Sequence, residues 1–248
     1  MPLNLRTWEV RLGIVLVASS AVIYTVKYLV LGDPENTYHY IFNALGFLPI
    51  NVLLVTLILN QLLSVRAKRE RLEKLNMVIG TFFSEVGTGL LTFVSDRDPG
   101  LSRLREELVV TEAWTPEKFS GARDSLRGHR CGVAVEAADL EELCRYLTER
   151  RGFLLRLLEN PVLMEHESFT NLLRAVFHLT EELERRGDFA GLPESDLRHL
   201  AGDVERVYGL LVREWLAYME YLQRNYPYLF SLAIRTNPFN KTASPIVR

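Results

Sequence analysis

Residues 41–94 read IFNALGFLPINVLLVTLILNQLLSVRAKRERLEKLNMVIGTFFSEVGTGLLTFV. The stretch opens as an apolar run, crosses a basic cluster at RAKRER (66–71), and continues in helical periodicity to Val94. The part after Pro49 reads as one long helix that leaves a membrane and enters the cytosol. Helical over residues 50–94, it would be about 68 Å long at ~1.5 Å per residue. Pro49 either kinks this span or marks the start of its regular part.

The polar residues inside the apolar run set the functional question. Thr56, Asn60 and Ser64 recur every four residues and so share one helix face, with Gln61 beside it and Asn51 near the outer end on roughly the opposite side. Lipid does not solvate such groups, so they face protein or water. Two readings follow. One is a pore lined by Asn51, Thr56, Asn60 and Ser64 from several subunits; the other is interhelical hydrogen bonding that holds an oligomer together.

Past the membrane, Leu72, Leu75, Ile79, Phe82 and Val86 alternate three and four apart, the seam of a coiled coil or tight bundle. Gly80, Ser84 and Gly87 put small residues on a nearby face, where close packing is possible. A helix of this length needs partners on its apolar side, and other copies of the chain are the simplest supply. The expectation is a homo-oligomer, of four or more subunits if it encloses a pore.

Upstream, residues 12–31 form a second apolar run of about twenty residues, longer than the ~7–15 of a signal-peptide core. Gly32-Asp33-Pro34-Glu35 follows it, with no small-x-small cleavage site, so a retained transmembrane helix is the better reading. Lys27, near its far end, can snorkel to the headgroups. Arg6 and Arg11 precede this span, and Arg66, Lys68, Arg69, Arg71 and Lys74 follow the next. The positive-inside rule then places both termini in the cytoplasm of a multi-pass protein. Arg66, Lys68, Arg69 and Arg71 would anchor the helix at the membrane surface. Residues 32–40 read as a tight connection, where Asp33 and Glu35 either sit in a solvated turn or, in a ring of subunits, attract cations to an outer mouth.

Composition agrees with a membrane part joined to a cytosolic part. Of 248 residues 48% are hydrophobic and 24% charged, mean hydropathy is +0.04 and net charge −2. Residues 1–95 carry eight Lys/Arg and six Asp/Glu against twenty-one and twenty-five in the remainder, so the apolar excess is at the front. The near-neutral balance argues against nucleic acid as a partner; the expected partners are the lipid bilayer, further copies of the chain and, for a pore, an ion. Cys131 and Cys144, both on the cytosolic side, read as free thiols.

The cytosolic part reads as helices. Residues 96–135 form a linker with short helices over 101–110 and from Thr115-Pro116-Glu117, irregular over 121–135 with one short strand near Cys131. Three amphipathic helices follow, over 139–159, over 169–186 with Gly187 as the stop, and from Pro193 through Leu222. They are long enough for an antiparallel bundle over 136–235. The run PYLFSLAI (227–234) is too short to span a membrane and either packs on the bundle or docks elsewhere, and residues 236–248 read as a loose tail.

No enzyme signature is present: there is no GxSxG, Walker A loop or GxGxxG after a strand. Glu165, His166 and Glu167, with His178 eleven residues on, match neither HExxH nor a Glu-x-x-His pair, and a helix start with Ser168 as cap explains them. His129 and Cys131 lack a second pair of ligands. No metal, cofactor or catalytic residue is expected.

The expectation is therefore an all-α integral membrane protein. Its residues 1–65 make two transmembrane helices, the second continuing as a stalk over 66–95 before a C-terminal helical bundle. Two functions compete: a small ion channel lined by the second span, or a membrane-anchored signalling or scaffold module whose cytosolic helices bind a protein or small ligand.

Overall fold

Apolar side chains recur three and four apart along most of the chain, and the computed structural model turns each such stretch into helix. It describes residues 7–31, 34–103, 105–128, 136–164 and 166–247. Among them every regular element is helical: α1 (Thr7–Leu31), α2 (Pro34–Phe82), a π-helical segment (Phe83–Gly87), α3 (Thr88–Ser95), 3-10 turns at Pro99–Arg103 and Glu106–Leu108, α4 (Pro116–Gly128), α5 (Ala137–Leu158), the short α6 (Pro161–Met164), α7 (Glu167–Glu184), α8 (Glu194–Asn225) and α9 (Pro227–Arg235). The chain divides into two units, residues 1–68 and 69–248, and α2 contributes to both.

In the first unit, α2 starts earlier than the sequence suggested. Residues 34–40, expected as a tight connection, are already helical, and Pro49 lies inside the helix. Pro34 is well suited to the first position, where no helical N–H is needed. Pro49 removes one hydrogen bond from a helix of 49 residues, and the rest of the ladder carries on. Tyr24 of α1 and Tyr40 of α2 lie with ring centroids 6.3 Å apart, and the Lys27 ammonium stands 4.4 Å from the Tyr40 ring centre. Lys27 is thus held on an aromatic face. The large apolar side chains of both helices, such as Ile23, Leu29, Leu53 and Leu62, are exposed. The helical run Glu35–Ser95 is long and apolar enough to cross a membrane, and Ile14–Val30 is a shorter apolar stretch.

The second unit corrects the expected oligomer seam. Leu75, Ile79, Phe82 and Val86 are buried within the chain itself, in one core with α5, α7 and α8. Leu72, one turn earlier, stays 44% exposed. Phe82 meets Phe169 of α7 edge-on at 5.3 Å, and Phe83 stacks on Tyr218 of α8 at 5.5 Å with planes 12° apart. The alternation of three and four specifies an apolar stripe but not who covers it. Here the covering helices come from later in the same chain, so residues 69–95 belong to the bundle and are not a free stalk.

Helix α7 packs between α5 and α8, and α8 also receives α3, α4 and α9. The α7–α8 pairing is antiparallel: Arg186 meets Asp196, Glu182 meets His199, and His178 meets Asp203. A short turn joins them, with Gly187 at φ +66°, a left-handed conformation that costs glycine nothing. Helix α4 begins as read, with the Lys118 N–H donating to the Thr115 hydroxyl at 3.4 Å, but it runs on to Gly128 through residues expected to be irregular. The proposed strand at Cys131 falls outside the described residues. In place of one helix over 101–110 there are two 3-10 turns, which bury Leu101 and Leu108, and Val110 just beyond them is buried too.

The loose tail is also corrected, at least over its first turn. Phe239 is buried against Trp215 at 5.1 Å, and Asn237 donates to the Leu108 carbonyl at 3.3 Å while accepting the Phe239 N–H at 2.8 Å.

Candidate functional site

The π-helical segment is the least ordinary piece of backbone in the second unit. It closes with the Thr88 N–H donating to the Phe83 carbonyl, an i to i+5 bond. Such a segment leaves carbonyls misaligned with the normal ladder, and α5 supplies their donors. Arg150 donates from Nε to the Glu85 carbonyl and Tyr146 donates its hydroxyl to the Val86 carbonyl, both at 2.9 Å. π-bulges of this kind recur at functional sites because they turn side chains out of helical register.

Beside this segment lies an open groove of about 610 Å³, within the range of about 300–1,000 Å³ common for small-molecule sites. One wall comes from α2, the π segment and α3, with Met77, Gly80, Ser84 and Thr88; the other comes from α8 and α9, with Tyr218, Tyr221, Leu229 and Leu232. Gly80 makes the walls meet: a β-carbon there would stand 2.6 Å from the Tyr218 hydroxyl. Of the small face read in the sequence as a place for close packing, Gly80 is closely packed, by Tyr218 of the same chain, whereas Ser84 is exposed.

The groove combines exposed apolar side chains with polar ones, Ser84, Glu85 and Thr88 among them. Met77, Tyr228, Leu229 and Leu232 are exposed. Asn76 and Thr81 direct their donors to the carbonyls of Leu72 and Met77 in their own helix. The Tyr221 hydroxyl is buried with no hydrogen bond of good geometry. Burial, and after it the neighbouring Tyr226, push its pKa up to about 12, so it stays a neutral donor at any physiological pH.

The residues singled out from the sequence are elsewhere. Asn51, Thr56, Asn60 and Ser64 lie exposed on α2 in the first unit, and the Ser64 hydroxyl donates to the Gln61 carbonyl at 2.8 Å. Asp33 falls outside the described residues, and Glu35 occupies the first turn of α2, where an acid complements the helix dipole. Arg66, Lys68, Arg69 and Arg71 are exposed, with Arg69 reaching Glu73 at 3.2 Å. His166 caps α7, its ring accepting the Phe169 N–H at 3.4 Å, so the helix-start reading holds with His166 in the role given to Ser168. Cys144 is a half-buried free thiol; His129 and Cys131 are outside the described residues.

Sequence reasoning missed Tyr218, Tyr221, Tyr226 and Tyr228. Their crowding around the end of α8 was the available signal, but a tyrosine on a helix is as readily core as site.

The profile of a family described as uncharacterized protein MJ1433, C-terminal helical domain, matches residues 71–235, and that of the MJ1433 N-terminal helical domain matches residues 4–63. The chain belongs to the MJ1433 family. An uncharacterized protein of that name from Methanocaldococcus jannaschii is 43% identical over 238 residues, covering 96% of each chain. No solved structure matches. The two family segments leave residues 64–70 between them, which hold most of the basic cluster and the division between the two units.

Proposed function

We propose that this member of the MJ1433 family is a membrane-anchored binding module and not an enzyme. Residues 1–65 cross the bilayer twice, both termini face the cytoplasm, and Arg66, Lys68, Arg69 and Arg71 sit at the headgroups. The second unit binds an amphipathic small molecule with a single acyl-like chain. The observation that carries this reading is the groove itself, with apolar walls at Met77, Leu229 and Leu232 and one buried, poorly satisfied donor at Tyr221. An apolar chain would cover the first three, and a polar head would accept from the fourth.

The test uses the full chain in lipid nanodiscs with a photoactivatable long-chain fatty acid. Crosslinks mapped by mass spectrometry to Met77, Leu229 or Leu232, and lost on Leu232→Arg, are the expected result. Crosslinking confined to residues 12–65 sinks the reading. Leu232 is exposed, so the change does not disturb the core.

A second reading rests on a different observation. The face holding Thr56, Asn60 and Ser64 is exposed on α2, and in a membrane such polar groups face protein or water, for which other copies of the chain are one source. A ring of four or more chains would make it the lining of an ion pore. The seam at Leu75, Ile79, Phe82 and Val86 lends that ring no support, being covered within one chain. Asn60→Leu should then abolish ion flux in vesicles while native mass spectrometry finds the assembly unchanged. Persistent flux rules out this lining.

A further inference from the structure

Helices α7 and α8 each carry a histidine one turn before a carboxylate, His178 with Glu182 and His199 with Asp203. The antiparallel pairing brings the four together. His178 Nε2 stands 3.7 Å from Asp203 Oδ2 and 4.0 Å from Glu182 Oε1; His199 Nε2 stands 3.6 Å from Asp203 Oδ2 and 3.7 Å from Glu182 Oε2. Two imidazole nitrogens and two carboxylates thus point at one small volume.

Asp203 is the informative member. The residue is 2% exposed, and its Oδ1 is held by Arg206 at 3.1 Å. Its Oδ2 is buried without a hydrogen bond. Both imidazole nitrogens are too far from it for a hydrogen bond of ordinary length. A buried carboxylate oxygen aimed between two imidazoles, and bonded to neither, calls for a positive charge between them.

We propose that His178, Glu182, His199 and Asp203 bind a divalent transition cation of the zinc class. A tetrahedral ion with ligands at about 2.0–2.1 Å needs donor atoms about 3.3–3.4 Å apart. Among the described residues no group of three His, Cys, Asp or Glu is already arranged to hold a metal ion. In this cluster the two separations to Asp203 Oδ2, 3.7 and 3.6 Å, exceed the tetrahedral edge by a few tenths of an ångström, while Glu182 presents Oε1 to His178 at 4.0 Å and Oε2 to His199 at 3.7 Å and has further to move. Both histidines can make up the difference, since their side chains are 49% and 53% exposed and free to turn about the fixed Asp203.

The surroundings suit that role. Arg186 donates to Glu182 Oε2 at 2.7 Å and is itself gripped by Asp196 at 2.6 and 2.8 Å. This leaves Glu182 Oε1 turned to His178. Arg206 orients Asp203 in the same way. Ligating carboxylates are commonly held from behind by such partners. With neutral histidines, three carboxylates face two guanidiniums, so the cluster keeps a net negative charge for an incoming cation. Two nitrogen and two carboxylate donors favour Zn²⁺ over Mg²⁺ or Ca²⁺. A bound ion would tie α7 to α8.

The experiment is a Zn²⁺ titration of the full chain, purified in mild detergent and stripped with EDTA, read by competition with a chromophoric chelator. A parallel Co²⁺ titration reads ligand-field absorption. The expected result is one ion per chain, a tetrahedral Co²⁺ spectrum and a rise in melting temperature with Zn²⁺. His178→Gln and His199→Gln, both at exposed positions, should each weaken binding by at least about tenfold. They should also remove the Zn²⁺-dependent rise in melting temperature. His39→Gln and His166→Gln should change neither. Absence of stoichiometric Zn²⁺ binding by the unmodified protein overturns the proposal, as does binding that survives the His178→Gln/His199→Gln double change.

Discussion

Tyr146 donates its hydroxyl to the Val86 carbonyl across sixty residues of sequence, and the same hydroxyl lies 2.3 Å from where a β-carbon on Gly89 would stand. One contact thus satisfies the π segment and excludes a side chain from the next turn. Tyr146→Phe should lower unfolding free energy by about 1–3 kcal/mol, because the carbonyl loses its donor. Gly89→Ala alone should come out near neutral, since a helix-propensity gain of about 1 kcal/mol is offset by displacing the hydroxyl. In the Tyr146→Phe background the same change should stabilise. A double-mutant cycle by chemical denaturation measures the coupling, and strict additivity would mean that the close approach is unimportant.

Phe82 separates a seam within the chain from a seam between chains. It is fully buried and meets Phe169 edge-on. Phe82→Ala should cost about 3–5 kcal/mol by leaving a cavity in the second unit. Subunit number, read by native mass spectrometry, should not change. A drop in subunit number with the unfolding transition intact would show that Phe82 works between chains.

Phe239 should matter more than its place near the chain terminus suggests. Its ring fills a site beside Trp215, with Asn237 shaping the turn. Phe239→Ala should cost about 3–5 kcal/mol, while Ile246→Ala, at an exposed position, should fall within about 0.5 kcal/mol of the unmodified protein. Equal effects at both sites would mean that the tail is not docked.

Acid should loosen the turn between α7 and α8. Hydrogen bonds from Arg186 hold the carboxyls of Asp196 and Glu182 below their ordinary values of 3.8 and 4.5. Folded values below unfolded ones mean stability that is fully present above pH 4.5 and is lost as pH falls through the lowered folded values. Melting temperature followed downward from neutral pH should drop in that range, and Arg186→Gln should flatten the drop. The Arg69–Glu73 pair, exposed on α2, should show no such effect when Arg69→Gln is made.

The helices were legible residue by residue. The apolar positions Leu140, Leu143 and Leu147, Leu172, Val176 and Leu179, and Leu200, Val204 and Val207 are buried as their spacing required. What covers the stripe at 75–86 was not. Nothing in Phe82 or Val86 distinguishes a partner from another chain from one further along the same chain, such as Phe169 or Tyr146, because an apolar stripe carries no address. The groove tyrosines and the histidine–carboxylate cluster were hidden for a related reason. Each helix shows only its half, His178 with Glu182 or His199 with Asp203, and half a site looks like an exposed helix face.

The sequence by itself determined local matters: the helical character of most segments, though not of 34–40 or 121–128, where Thr115, Pro161, Gly187 and Pro193 start and stop helices, which faces are apolar, and that polar residues interrupt the second apolar run. These follow from backbone sterics, capping and periodicity, which act within a few residues. Only the tertiary structure decided that the stripe at Leu75–Val86 is buried within the same chain, with Phe82 on Phe169 of α7, that Phe239 docks on Trp215, and that two distant His–carboxylate pairs converge on one buried oxygen. Those choices depend on which apolar faces meet, and burial energy scales with area and packing without regard to distance along the chain.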